Sequence, residues 1–444
     1  MPDVRRKPGS RLGAAACVAA ALALHAATSP PLLAAPQNGW RASITPEAQS
    51  QQQPVPQGVK LAATHKATAT AAALTGDAKR TTFRLELSDG VTAEIFTLAD
   101  PYRVVVDLPD VAFDLTDGTG KDGLGLIKAF RYGLFAEHKA RIVIDTNGPV
   151  RVEHAAMTAT GETSVSFTFD IVATAPESFG QGTGPNRSDK PAAQPMPEAD
   201  PHFKPKPHGK PVIIIDPGHG GIDGGAVGAR NLLEKDIVLA VAKELRGALA
   251  AGHRYDVQLT RSTDVFISLD HRVSHSIKSG AELFISLHAD SLGEPGSAQA
   301  IRGATVYTLS DRASDEQARL MAEKENASDL VAGLASANGE AADQLKNILI
   351  DLLKRETANF SKDFSNVLVR QLKRKIMLSR DPQRAAAFKV LKQTHSPSVL
   401  VELGYLSNFD DEQLLCDPAW QKQAASSIAA AVDDYFLKRN SGSR

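Results

Sequence analysis

The stretch Pro211-Val-Ile-Ile-Ile-Asp216 constrains the fold of this chain more than any other. An unbroken apolar run of this kind, halted by Pro217-Gly218-His219-Gly220-Gly221, is the mark of a strand buried on both faces. Such strands belong to parallel sheets with helices on either side, and α/β folds of that sort bind their ligands at the carboxyl ends of the strands. His219 therefore stands on a loop at a ligand-binding edge. Leu283-Phe-Ile-Ser-Leu287 repeats the pattern, and His288 is the first residue after it. From Val212 onward, short apolar runs alternate with helical periodicity, which predicts an α/β fold with a mostly parallel sheet flanked by helices.

The ionisable residues on this frame point to a metal. Glu234 opens a helix whose apolar positions Val238, Val241, Leu245 and Leu249 follow at offsets of four, seven, eleven and fifteen, so the glutamate lies on the buried stripe. A carboxylate at a helix start also serves as a cap, which is the plainer reading of Glu234 alone. An ionised group turned toward a core must nevertheless be paired or bind a cation. Two imidazoles and a carboxylate with one position open form the ligand set of a catalytic zinc. The glycines around His219 do not make a nucleotide cradle, because neither Gly-x-Gly-x-x-Gly nor Gly-Lys-Ser/Thr can be drawn there. A third apolar run, Pro397-Ser-Val-Leu-Val-Glu402, ends on a glutamate with no local cation. Burial would raise its pKa and suit it to general acid-base work, unless an arginine such as Arg261 or Arg302 pairs with it.

The remaining length divides into segments of different composition. Residues 1–35 carry Arg5, Arg6, Lys7 and Arg11, then the small apolar run Leu12 to Ala27 and Leu33-Ala34-Ala35-Pro36, the layout of a cleaved export signal. The run is too alanine-rich for a membrane anchor. Cys17 falls inside it and leaves Cys416 as the single thiol of the mature chain. Residues 36–79, rich in Gln, Pro, Ala and Thr, read as a disordered linker. Residues 80–174 alternate as short strands between Gly, Pro and Asp turns and predict a small β-rich domain. Residues 175–210 are a Pro-rich spacer. With 50 basic against 51 acidic residues and no run of like charge, the footprint of a nucleic-acid binder is missing.

Taken together, Ile215-Asp-Pro-Gly-His219-Gly-Gly-Ile-Asp-Gly-Gly, Glu234-Lys-Asp, Ser286-Leu-His288-Ala-Asp-Ser and Val401-Glu402-Leu-Gly-Tyr-Leu-Ser-Asn closely resemble the zinc-dependent N-acetylmuramoyl-L-alanine amidases of the third amidase family. Asp100-Pro-Tyr-Arg-Val-Val-Val-Asp-Leu-Pro109 resembles the AMIN domain that precedes such enzymes in Gram-negative bacteria and targets them to the wall. The resemblance implies an amidase domain over residues 211–440, one Zn2+ held by His219, Glu234 and His288, and Glu402 as the catalytic carboxylate. It further implies periplasmic hydrolysis of the bond between N-acetylmuramic acid and L-alanine in peptidoglycan, in wall remodelling and daughter-cell separation. A peptidoglycan-binding scaffold with a silent amidase fold is the alternative, though it gives no reason to bury two carboxylates beside two histidines.

One region exceeds the minimal enzyme. Residues from about 311 to 375 have helical periodicity, as at Ile348, Leu349, Leu352 and Leu353, and are too many for a plain connection. This resembles the helical insertion of division-associated amidases, in which a helix covers the zinc until an activator with a degenerate LytM-type fold moves it. Glu316, Glu323, Glu325 and Glu340 are the candidate blocking ligands, and the sequence does not choose among them. An extra helical layer without regulatory meaning is the bland alternative.

Overall fold

In the computed structural model, the structure describes residues 43–44, 67–161, 164–180, 209–291, 301–334, 347–393 and 395–441. The expected export signal and most of both expected linkers lie outside the described residues. No helix among the described residues is long and apolar enough to cross a membrane.

The N-terminal part is a sandwich of two five-stranded sheets. Strands β1 (Ser43–Ile44), β4 (Ala93–Leu98), β5 (Arg103–Pro109), β8 (Lys139–Thr146) and β7 (Ile127–Ala136) form one, in that order. The other runs β6 (Val111–Phe113), β2 (Ala67–Gly76), β3 (Arg80–Leu87), β10 (Val165–Ala173) and β9 (Val150–Ala159). Alternate residues from both sheets, among them Phe83, Leu85, Val104, Val106, Ile142, Phe167 and Phe169, fill the core between them.

Strand β2 corrects the sequence reading, because its ten residues, assigned to the linker 36–79, instead form a ladder with β3 and, at their start, with β6. The misreading has a physical cause. Ala-Thr-Ala-Thr-Ala-Ala-Ala-Leu-Thr-Gly shows no contrast between apolar and polar positions, and only Ala67 and Ala69 are buried. The strand is specified by the ladder its neighbours offer rather than by its own side chains.

The C-terminal part is built on one six-stranded sheet in the order β12 (Asp256–Leu259), β11 (Val212–Pro217), β13 (Leu283–His288), β16 (Ser398–Glu402), β14 (Ala304–Leu309) and β15 (Leu378–Ala386). All neighbours are parallel except β14 with β16. Helices α1 (Glu234–Ala251) and α7 (Pro418–Ser441) cover one face together with the end of α5 (Asn347–Leu372), and Ile213, Ile215, Leu283 and Val399 point into that layer. Ile214, Phe284 and Leu400 point the other way, toward α2 (Leu269–Ser279) and α3 (Glu316–Asn326). Both faces are covered, which is why these strands read as continuous apolar runs. Helix α6 (Phe409–Leu415) follows β16.

The expected insertion consists of α3, the one-turn α4 (Ser328–Val331) and α5, with residues 335–346 outside the described ones. Its halves differ in kind. Phe364, Val367, Leu368 and Leu372 of α5 belong to the main core, so this half is a structural crossover between β14 and β15. Helices α3 and α4 lie over the carboxyl edge of the sheet.

Candidate metal centre

The centre forms where three parallel strands end. The register pairs His288 with Glu402 across β13 and β16, which puts both side chains on one face at the carboxyl edge. His219 follows β11 with a left-handed backbone at φ 56°. Gly218 before it leaves room for the second imidazole, since a Cβ at this position would lie 2.4 Å from Cε1 of His288. The rings of His219 and His288 stand edge to face with centroids 5.0 Å apart.

Asp216 and Arg272 hold the loop under His219. Arg272 Nη1 donates to Asp216 Oδ1 at 2.7 Å and Nη2 donates to the His219 carbonyl at 2.8 Å. Thr260 and Ser286 supply further hydroxyl donors to the same carboxylate. Burial acts to raise the Asp216 pKa, and the Arg272 charge with these hydrogen bonds outweighs it and holds the group ionised below the ordinary range.

Glu234 opens α1 and is fully buried. Its Oε2 accepts from the Ala226 amide at 2.8 Å, and its Oε1 accepts from the Ala289 amide at 2.9 Å. Oε1 lies 3.2 Å from His219 Nε2 and 3.1 Å from His288 Nδ1. The three residues that the sequence singled out therefore meet at one point. Asp223, which the sequence reading did not single out, lies 2.9 Å from Nδ1 of His219 and accepts its N–H, which turns Nε2 toward the centre.

A fourth group stands at the same point. Glu325, in the last turn of α3, brings Oε2 to 3.3 Å from His219 Nε2 and 3.1 Å from His288 Nδ1. His219, His288 and Glu325 offer ligand atoms within 4.8 Å of one another. Neighbouring contacts seat the helix: Lys324 pairs with the buried Asp290, and Ser328 donates to Asp223 at 2.5 Å. Of the other glutamates considered, Glu316 and Glu323 pair with Arg319 on the exposed side of α3, while Glu340 lies outside the described residues. Periodicity could not make this choice, because four candidates within one insertion are separated only by where the helix docks.

The donor set fits a cation. His219 Nε2 is buried with no hydrogen-bond partner of acceptable geometry, although two carboxylate oxygens face it. Burial alone would lower the His288 pKa, yet Glu325 and Glu234 drive it up to about 10. Glu325 is itself held down to about 2 against the effect of burial by the two imidazoles. Two imidazole nitrogens and two carboxylates, dry and mutually in reach, are the donors that a borderline divalent ion prefers.

Glu402 is fully buried beside this group. Its Oε2 accepts from the Asp290 amide at 3.0 Å, and its Oε1 has no partner. Neither arginine weighed as an ion-pair partner reaches it. Arg261 donates to the carbonyls of Pro217, Gly218, Thr263 and Lys235, and Arg302 pairs with Asp410 and Asp411. Burial raises its pKa well above the carboxylate range; the His288 charge opposes this, and Asp290, Glu234 and Glu325 reinforce it. A buried carboxyl whose proton affinity is raised, with one free oxygen beside a cation site, is equipped for proton transfer.

Comparison with known proteins gives the family of both parts of the chain. Residues 213–434 match the N-acetylmuramoyl-L-alanine amidase family, and residues 73–171 match the AMIN domain. The chain is 41% identical over 239 residues to the N-acetylmuramoyl-L-alanine amidase AmiA of Escherichia coli K12, covering 53% of this chain and 80% of the relative. It is 30% identical over 355 residues to AmiC of Escherichia coli O6:H1, covering 77% and 83%. AmiC of Neisseria meningitidis is likewise 30% identical over 369 residues, covering 80% and 87%. With its metal-ready cluster at the end of a parallel sheet and an AMIN domain ahead of it, the chain belongs to the N-acetylmuramoyl-L-alanine amidase family.

Proposed function

We propose that this protein is an exported, zinc-dependent peptidoglycan amidase that acts in the periplasm and is held shut by its own insertion. The observation that carries the reading is the convergence of His219 Nε2, His288 Nδ1 and Glu234 Oε1 beside a carboxyl, Glu402, with one unpartnered oxygen. His219, Glu234 and His288 would hold one zinc ion. Bound there, zinc supplies a Lewis acid that polarises the scissile carbonyl and makes water acidic near neutral pH.

The chain's own groups do the rest. Asp223 keeps the His219 proton on Nδ1 and so presents Nε2. Glu402 takes a proton at Oε1 as water attacks the amide between the lactyl group of N-acetylmuramic acid and L-alanine. It then gives that proton to the departing amine, and the products are a glycan strand with a free lactyl carboxylate and a free stem peptide. The Asp290 amide fixes the other oxygen, so the proton stays on the side of the reaction.

Glu325 Oε2, 3.3 and 3.1 Å from the two imidazole nitrogens, would fill the open position of the centre, which makes α3 a cover and calls for an activator, a partner with a degenerate LytM-type fold. The AMIN domain would hold the enzyme on the wall during remodelling and daughter-cell separation. Digestion of purified sacculi followed by mass spectrometry tests the reaction: stem peptides with a free L-alanine amine are expected. Products cut within the stem, or no products from zinc-loaded enzyme with Glu325 replaced, would overturn it.

A further inference from the structure

Three arginines on neighbouring strands of the AMIN domain face the chain just beyond α3. Each is anchored at home. Arg141 donates from Nε and Nη2 to Asp107 at 2.6 and 2.9 Å, Arg131 from Nη1 and Nη2 to Asp145 at 2.6 and 3.2 Å, and Arg103 from Nε to the Pro101 carbonyl at 3.2 Å. Each then reaches across with a remaining N–H. Arg103 Nη1 donates to the Leu330 carbonyl at 2.7 Å, Arg131 Nε to Val331 at 2.6 Å, and Arg141 Nη1 to Ala332 and Gly333 at 3.1 and 3.2 Å.

These acceptors are the carbonyls of the chain where α4 stops, and the Leu330 carbonyl also accepts from the Gly333 amide at 3.0 Å. The fit is close as well as polar. Ala332 is fully buried in an apolar cluster with Val105 and Val143 of the AMIN sheet. Gly333 is left-handed at φ 70°, and a Cβ there would lie 2.8 Å from Val143 Cγ2. Burial, together with the charges of Arg131 and Arg141, pulls the Arg103 guanidinium down to about 10 although Asp145 opposes it. The carbonyls of residues 330–333 give these three guanidinium groups polar partners where the helix end covers them.

The same sheet also holds the loop behind His219. The Leu134 carbonyl of β7 accepts from the Ile222 amide at 3.0 Å, and Phe135 stacks on Phe266 with centroids 5.7 Å apart. One rigid sheet therefore touches both sides of the centre, the loop that carries a metal ligand and the segment that carries the blocking carboxylate.

We propose that the AMIN domain has a second function, as a clamp that fastens the α3–α4 cover over the metal centre by gripping the carbonyls of residues 330–333. The proposal rests on the reading of Glu325 as the blocking group. It makes opening depend on the AMIN domain: a force or ligand that draws its sheet aside loosens the cover, and release of the cover frees the sheet by the same factor.

The test uses the full-length zinc-loaded protein with Arg103→Met, which keeps the shape of the side chain and removes its donors, and Gly333→Val, which blocks docking from the cover's side. Hydrogen-exchange mass spectrometry of residues 316–334 should show both variants exchanging about tenfold or more faster than wild type, the scale of one lost charge-assisted hydrogen bond, with strands β11, β13 and β3 unchanged. Basal hydrolysis of sacculi should rise in the same two variants. Wild-type exchange over 316–334 in both, or faster exchange with no gain in rate while Glu325→Ala is fast, would overturn the clamp alone. If Glu325→Ala is no faster than wild type, the blocking reading falls, and the clamp falls with its premise.

Discussion

Two glutamates reach the same pair of imidazoles from opposite ends of helices. Glu234 comes from the first turn of α1, where the helix dipole favours a carboxylate, and two backbone amides bind its oxygens. Glu325 comes from the last turn of α3, where the dipole disfavours one, and its Oε1 is buried without a partner. Their distances to the imidazole nitrogens are nearly equal. The difference is in what holds the carboxylates: backbone amides bind both oxygens of Glu234, whereas Oε1 of Glu325 has no partner and its Oε2 faces the imidazoles, with the helix seated by contacts of its neighbours. On the proposed reading, a permanent ligand and a removable one are distinguished by their second partners.

The largest effect should come from breaking the fixed side. Glu234→Gln is expected to weaken zinc binding by more than about a hundredfold, beyond the range usual for groups that merely orient a ligand, as measured by competition with a chromogenic chelator. Glu402→Gln should leave zinc content and melting unchanged and cut turnover on sacculi by about 10²-fold or more. Retention of more than a tenth of the wild-type rate would refute the proton-transfer role.

The removable side should respond in the opposite direction. Glu325→Gln is expected to keep full zinc occupancy and raise basal turnover by about 10- to 100-fold, since a preference of ~2.7 kcal/mol already keeps about 99% of molecules closed. A slower enzyme would make Glu325 part of the machinery and erase the contrast with Glu234.

The smallest effect concerns pH in the chelated protein. His288 at about 10 lies above its ordinary 6.5, so the stability it contributes is complete below 6.5 and lost as pH rises toward 10. Glu325 at about 2 lies below its ordinary 4.5, so its contribution is complete above 4.5 and lost as pH falls toward 2. Melting temperature without metal should therefore be highest between about pH 4.5 and 6.5, and Glu325→Gln should flatten the profile. An unchanged profile in that variant would show that the imidazoles do not depend on Glu325.

What the sequence made legible follows from how each feature is encoded. Strands β11, β13 and β16 announce themselves because burial on both faces leaves only apolar residues, and the ionisable residues at their ends stand out against that background. Strand β2 was illegible because alanine and threonine suit a tether as well as a ladder. Glu325 was visible only as one of four glutamates. Arg103 and Arg141 read as ordinary polar positions in alternating strands, and only the fold shows that both are buried against a helix end.

The route of the chain between β14 and β15 has a consequence for the history of such enzymes. Those two strands are parallel neighbours, and α5 alone suffices to carry the chain from the end of one to the start of the other. Helices α3 and α4 are thus an interpolation in a connection that already closes: they add no strand to the sheet, and they meet its ligand-bearing loops only through side chains such as Lys324 on Asp290 and Ser328 on Asp223. Rewriting this stretch would leave the strand order and the residues on the strand ends in place, so control over the hydrolase can change without a change in the sheet that carries it.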